Sequence, residues 1–429
     1  MKPLFIISCP IDTYSGYGAR SRDLVKAIIQ LDKYDIKILP QRWGNCPWNF
    51  IKDHSKEWGF LTPYLLPPGN HLPSQPDIWA QVTVPNEFQP VGKYNIGFTA
   101  GIETTLCAPQ WIEGLNRMDI NFVSSEHAKQ TFLNSRFNRQ DQQGNPAGVL
   151  ELQKPVEVLF EGVDLGQYFP KKSTFDLDLI KEDFAYLFVG HWMQGQIGED
   201  RKNVGAMIQT FFEAFKNKKK APALILKISG AGSSIMDRET MLDRINQVRN
   251  LVKDARTLPN VYLLHGELSN DEINELYNHK KVKAMVSLTK GEGFGRPLLE
   301  FSLTKKPIIT TNWSGHTDFL SSEFTTLIGG KLTKVHPSAV VKDMILPESQ
   351  WFTADYGEFI AVLRDLFENY KKYKEKAVRQ AHKSKTEFNF DQMVEVLKQY
   401  SDSFYDPPKE LTLNLPQLET LDLPIIKQK

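Results

Sequence analysis

Cysteine is scarce in this chain: three in 429 residues, Cys9, Cys46 and Cys107. They form no CxxC pair and no metal-ligand spacing. That excludes a disulfide framework or a zinc ribbon and fits reduced thiols in a reducing compartment. No apolar run approaches about 18 residues, so the sequence offers no candidate membrane-spanning helix. The opening stretch MKPLFIISCPIDTYSG has only LFIIS as an apolar run. It lacks the length and small-residue cleavage site of a secretory signal and reads as the first buried strand of a domain. An excess of either charge is missing too. Fifty-two basic residues face 51 acidic ones, a formal net charge of +1. Nothing demands a polyanionic partner, though a local basic patch is compatible with this balance. There is no short-period repeat and no low-complexity block. No GxGxxG follows the first strand, which disfavours a dinucleotide-dependent oxidoreductase. These absences predict a cytoplasmic protein.

What remains is ordinary globular material, 41% hydrophobic and 24% charged. The length suggests two domains, with room for a terminal appendage. Short apolar runs alternate with amphipathic segments. PLFIIS (3–8), DIKILP (35–40), DIWAQVTV (77–84), NIGFTA (95–100), INFVSS (120–125) and VEVLFEG (156–162) read as strands. SRDLVKAIIQL (21–31) reads as a helix. A second series begins after Pro170: strands at 185–190, 223–230, 261–266, 283–288 and 307–311, with helices at 203–217 and 239–255 among them. Such alternation predicts α/β domains with largely parallel sheets. The expected organisation is an N-terminal domain over 1–170, a C-terminal domain over 171–390, then a helix and an extended, proline-punctuated tail over 391–429. The charge run KNKKK (216–220) reads as a solvated turn.

One stretch carries chemistry. KAMVSLTKGEGFGRPLLEFSL reads as strand, glycine loop and helix. Pro297 fits a first helical turn, and free N–H groups at a helix start suit an anion such as a phosphate. Gly293 and Gly295 allow a ligand close to the backbone. Glu292 sits before the helix and Glu300 about one turn inside it, so two carboxylates can flank an extended ligand and accept from its hydroxyls. Hydroxyls on either side of a phosphate describe a sugar nucleotide. The plainer alternative is a strand–loop–helix joint with a capping glutamate.

EGFGRPLLE resembles the E-x7-E signature of retaining glycosyltransferases of the GT-B fold, particularly family 4. The resemblance extends over most of residues 1–390. It implies two Rossmann-like α/β/α domains facing across a cleft, acceptor in the first and nucleotide sugar in the second. Glu292 would contact the transferred sugar and Glu300 the ribose. Backbone amides at Phe294, Gly295 and Arg296, followed by Pro297 and Leu298, would line the donor. LFVGHWMQGQIGEDRKNVGAM is similar to the segment holding a basic pair under the diphosphate: Gly190 and Lys202 match, His191 stands where arginine is usual, and Arg201 is the other candidate. HGELS would place Gly266 and Leu268 against the base, with His265 equally readable as a core histidine. YSGYGARSRDL resembles a glycine-rich loop facing the donor phosphates, through Gly16, Gly18 and Arg20. Glu103 stands near the position where many relatives carry a histidine. His316, Asp318 and Asp164 also have purely structural readings.

The implied activity is a retaining, metal-independent glycosyltransferase. It needs no cofactor beyond the nucleotide-diphosphate sugar, with UDP-sugar favoured, and no metal ligand. The acceptor is a hydroxyl of a glycan or glycolipid. PDIWAQVTVPNEFQPVGKYNIGFTAGIETT is also similar to phage-encoded glycosyltransferases, some of which act on modified bases in DNA. A non-catalytic sugar-nucleotide-binding protein is the reading from a different class. A peripheral membrane position, or the host cytoplasm for a viral protein, stays open, as does the oligomeric state. The segment RWGNCPWNFIKDHSKEWGFLTPYLLPPGNHLPSQPDIW, rich in Trp, Pro and Phe, is expected to form an excursion toward the acceptor.

Overall fold

The computed structural model describes residues 2–67, 72, 74–141, 143–230 and 232–405. The strands are β1 (Leu4–Cys9), β2 (Asp35–Pro40), β3 (Ile78–Val82), β4 (Tyr94–Thr99), β5 (Ile120–Val123), β6 (Phe137–Gln140), β7 (Pro146–Leu150), β8 (Val156–Val158), β9 (Ala185–His191), β10 (Ala223–Ser229), β11 (Val261–Leu264), β12 (Val282–Ser287), β13 (Ile308–Thr311), β14 (Thr326–Ile328), β15 (Gly330–Lys334) and β16 (Gln350–Ala354). The helices are α1 (Gly16–Leu31), α2 (Phe50–Asp53), α3 (Ser55–Trp58), α4 (Pro109–Leu115), α5 (Glu126–Asn134), α6 (Val204–Phe215), α7 (Ile235–Leu251), α8 (Asn270–Asn278), α9 (Arg296–Ser302), α10 (Tyr356–Glu368), α11 (Tyr370–Glu387) and α12 (Phe390–Ser401). No helix among the described residues is long and apolar enough to cross a membrane.

Two six-stranded sheets organise the chain, in the orders β2-β1-β3-β4-β5-β8 and β11-β10-β9-β12-β13-β14. All their pairings are parallel. Parallel sheets are covered by helices on both faces, so their strands are near-continuous apolar runs. LFIISC and ALILKIS have that character, and their central residues are buried. Helix α6 covers the second sheet with Val204, Met207, Ile208, Phe211, Phe212 and Phe215, all buried. Each such side chain contributes about 1.5–3 kcal/mol. The fold is the pair of parallel α/β sheets expected from the alternating pattern.

Both sheets contain a switch point, where successive crossovers leave one strand in opposite directions. In the first sheet it lies between β1 and β3, and in the second between β9 and β12. Loops splay apart there at the carboxyl ends of the strands, and ligands of open α/β sheets bind in such crevices.

Two readings are corrected. The glycine-rich stretch around Gly16 and Gly18 is helix, not loop: α1 begins at Gly16, where Ser15 caps by accepting from the Gly18 N–H at 2.9 Å. A Cβ at Gly18 would lie 2.3 Å from the Thr13 carbonyl, so that glycine serves the packing of the helix start. The strand read over 156–162 is only Val156–Val158. Two antiparallel pairs, β6–β7 and β15–β16, form small sheets of their own beside the parallel ones.

The chain crosses between the halves twice, side by side. Val163 N–H donates to Phe388 O at 3.0 Å and Phe390 N–H to Val163 O at 2.9 Å. Helix α12 then adds Phe390, Met393, Val394 and Leu397 to the core of the first half. Tyr34 Oη donates to Ser401 O at 2.9 Å. The extended tail expected after this helix lies outside the described residues.

Candidate active site

The site grows from the β12–α9 joint. Strand β12 ends at Ser287, and residues 288–295 turn back over the carboxyl ends of β9 and β12. Gly295 is the N-cap of α9 with φ 97°, a left-handed conformation that glycine adopts without strain. Pro297 occupies the first helical turn. Phe294 points into the core against Phe319, ring centroids 5.0 Å apart. The N–H groups of Phe294, Gly295 and Arg296 donate to no protein acceptor among the described residues.

Glu292 is buried in this loop between two cations. Lys202 Nζ donates to its Oε1 at 2.6 Å and its Oε2 at 2.7 Å, and Arg201 lies 3.5 Å from Oε2. Burial alone would raise the carboxyl, but Lys202 and Arg201 outweigh it and hold its pKa down at about 2. Burial lowers the Lys202 pKa, partly offset by Glu292. Arg201 bridges the halves: it donates to Gly291 O at 2.9 Å and pairs with Glu103, from the first half, at 3.2 Å. Glu103 therefore reaches this centre from the opposite wall.

Glu300, one turn into α9, has the opposite electrostatics. Burial, only partly offset by Arg296, raises its pKa to about 7. Arg296 Nε donates to Glu300 Oε1 at 3.0 Å, and Tyr277 Oη donates to Oε2 at 3.4 Å. The same guanidinium spans the cleft to Asp23 of α1 at 2.5 Å and approaches Glu161 to 3.7 Å. Asp23, Glu161 and Tyr277 were not singled out in the sequence. Asp23 and Arg296 are 273 positions apart, and no local pattern encodes such a pairing.

The remaining candidates divide. Gly190 and His191 lie at the carboxyl end of β9, with His191 Nδ1 3.1 Å from Ser229 Oγ. The surrounding protein, and then the charges of Lys202 and Lys227, lower the His191 pKa. Leu298 and Pro297 line a cavity of about 20 Å³ with Lys202, Glu292 and Gly295 at the β9/β12 switch point. Gly266 follows β11, its carbonyl accepting from Lys227 Nζ at 2.6 Å. Leu268 packs against the core beneath α9. Arg20 is placed elsewhere. Its buried guanidinium donates to Phe160 O at 2.8 Å and to Leu159 O, joining α1 to the end of the first sheet.

His316 is buried behind Gly295. Its Nε2 donates to Thr311 O at 2.7 Å, and its Nδ1 is buried with no partner among the described residues. Asp318 accepts from Glu126 N–H at 2.8 Å across the cleft. Asp164 pairs with Lys26 at 2.8 Å. His265 Nε2 lies 2.7 Å from Asp237.

Residues 199–335, which include Arg201, Lys202, Glu292 and Glu300, match the family model described as Glycosyl transferases group 1. Among curated proteins, none matches the chain at a significant level. Several solved structures are similar throughout. Sucrose-phosphate synthase from Thermosynechococcus elongatus superposes with TM-score 0.59 at 12% identity, over 94% of this chain and 99% of that one. A glycosyltransferase from Rickettsia africae gives 0.58 at 13%, over 94% and 98%. Anabaena HepE in complex with UDP-glucose gives 0.57 at 12%, over 94% and 100%. At these identities the likeness is one of architecture: the chain has the GT-B fold of glycosyltransferases, and its segment 199–335 is similar to group 1.

Proposed function

We propose that the protein transfers a sugar from a nucleoside diphosphate sugar to an acceptor hydroxyl, with retention of anomeric configuration and without a divalent cation. One observation carries this reading: Glu292, Lys202 and Arg201 converge in a buried cluster at the β9/β12 switch point, with Glu300 eight residues further on. Glu292, held ionised, accepts from hydroxyls of the transferred sugar. Glu300 accepts from the ribose. Lys202 and Arg201 meet the leaving diphosphate, whose developing charge they stabilise in a site shielded from water. Retention follows when the acceptor attacks the face the diphosphate leaves, with a phosphate oxygen taking its proton. A covalent route would need a carboxylate under the anomeric carbon, a place this reading does not give to Glu292. A uridine donor is favoured, in line with the UDP-glucose bound to Anabaena HepE.

The test is product stereochemistry. Proton NMR of the reaction with an α-linked UDP-sugar in EDTA is expected to show an α-linked product and UDP release. A β-linked product would remove the retaining mechanism. Loss of activity in EDTA, restored by magnesium, would remove the metal-free one.

A further inference from the structure

The second sheet's switch point holds the site above. The first sheet's switch point, between β1 and β3, holds a cavity of about 250 Å³ that nothing so far has used. Its floor is the register pair Ser8 and Gln81, on the sheet face that carries Ile6 and Trp79. One wall is the loop after β2, with Gln41, Arg42 and Trp43. The other is the loop after β3, with Glu87 and Gln89. Gln81 is already engaged: its Nε2 donates to Glu87 O at 3.1 Å and its Oε1 accepts from Gln89 N–H at 2.8 Å. It holds the second wall in place.

This cavity is joined to the centre around Glu292 by a short chain of contacts. Trp43 stacks on Tyr17, centroids 4.0 Å apart and planes at 21°. Tyr17 Oη lies 3.1 Å from Thr99 Oγ1 and accepts from Ala100 N–H at 3.1 Å. The Ala100 carbonyl lies against Gly293, the neighbour of Glu292: a Cβ there would be 2.7 Å from it. One aromatic pair and one turn thus link the Trp43 wall to the glycine loop of Glu292.

We propose that this cavity is the acceptor subsite and takes an uncharged sugar ring, an inference that rests on the glycosyltransferase reading. An indole face stacks on the C–H face of a pyranose, and Trp43, with Tyr17 on one side, lines the cavity; Trp79 also lines it but is only 5% exposed and packs in the core. The Trp79 Nε1–H is buried with no acceptor among the described residues. The carboxamides of Gln41 and Gln89 each offer donors and acceptors, the match for hydroxyl groups. Charge is balanced, with Arg42 the single cation of the lining and Glu87 the single anion. A DNA acceptor needs several cations on its phosphates, and a phosphorylated or acidic sugar needs a surplus of positive charge. At about 250 Å³ the space falls below the range for larger ligands. It holds one ring, with the rest of a glycan leaving past the exposed Arg42.

The experiment is saturation-transfer NMR on the full chain with UDP present. The neutral probes are methyl α-glucopyranoside, methyl α-mannopyranoside and methyl β-galactopyranoside. The charged probes are glucose 6-phosphate, methyl glucuronide and a duplex containing 5-hydroxymethylcytosine. At least one neutral glycoside is expected to bind, and to weaken about tenfold or more in Trp43→Ala and in Gln89→Ala. Unliganded melting curves report that each variant folds; Gln89, on an exposed loop, covers the case in which Trp43→Ala does not. Binding by the charged probes alone, by no probe, or by a neutral glycoside indifferent to both substitutions overturns the proposal. A UDP-sugar thermal shift on the wild type separates the two readings. A shift without neutral-sugar binding sinks the cavity assignment alone. Neutral-sugar binding lost in the variants, with no shift, keeps a carbohydrate site and sinks the transferase reading.

Discussion

At the residue scale Glu292 of the glycine loop and Glu300 of the helix that follows it are held in opposite electrostatic states. Glu292 is buried against two cations with its pKa at about 2. Its ordinary value is 4.5, so its pairing stabilises the fold fully above that pH, and the contribution is lost as pH falls toward 2. Removing one partner of a buried pair strands the other. Glu292→Ala is therefore expected to abolish transfer and also cost about 3 kcal/mol in urea denaturation. The double variant with Lys202→Ala should cost less than the sum, a coupling read from the mutant cycle. Glu300 titrates the other way. Its pKa of about 7 is above the ordinary 4.5, so stability falls as pH rises between those values. In the folded protein the carboxylate that a ribose hydroxyl prefers forms around pH 7. Nucleotide affinity by calorimetry should strengthen several-fold from about pH 6 to about pH 8, and Glu300→Gln should flatten that dependence.

Among the elements, the glycine loop is where sequence and structure agree most closely. Pro297 in the first turn, the left-handed Gly295 and Glu300 one turn in were all readable, because each follows from local backbone chemistry. Gly295→Ala places a Cβ 2.9 Å from His316 Cβ at φ 97°, and should cost about 1–3 kcal/mol by thermal denaturation. The parallel strands were readable as apolar runs. The hairpin β6–β7 was not, since FNRQ and PAGVL are largely exposed and show no alternation. Helix α11 was also unread: YKKYKEKAVRQAHKSKTE buries only Ala377, Gln380, Ala381 and Ser384. The start of α1 was missed by five residues because GYGAR has loop composition, and the Ser15 cap decides it. Sequence placed Lys202 beside a helix start, but not in contact with Glu292, 90 positions away.

For the whole molecule, the two halves are closed on each other at the centre of the site. Thr105 and Gln350 exchange hydrogen bonds of 2.9 Å across the cleft. A Cβ at Gly291 would fall 2.0 Å from the Glu103 carbonyl of the facing half. The cavity beside Lys202 and Glu292, about 20 Å³, is too small for a nucleotide sugar. On the proposed reading, donor entry calls for the halves to part, with the paired crossings at Val163 and Phe390 as the hinge. Gly291→Ala should hold the cleft open and raise the radius of gyration in small-angle scattering; an unchanged radius would place the motion elsewhere.

The central claim is that the β9/β12 switch point binds a nucleoside diphosphate sugar through Glu300 and the Lys202–Arg201 pair. The most direct measurement is a thermal-shift titration of UDP-, GDP- and ADP-sugars in EDTA, on the wild type and Glu300→Gln. The account predicts that one nucleotide series, UDP foremost, raises the melting temperature with increasing concentration, and that the shift shrinks in the variant. No shift with any of the three series, or one indifferent to Glu300, would contradict it.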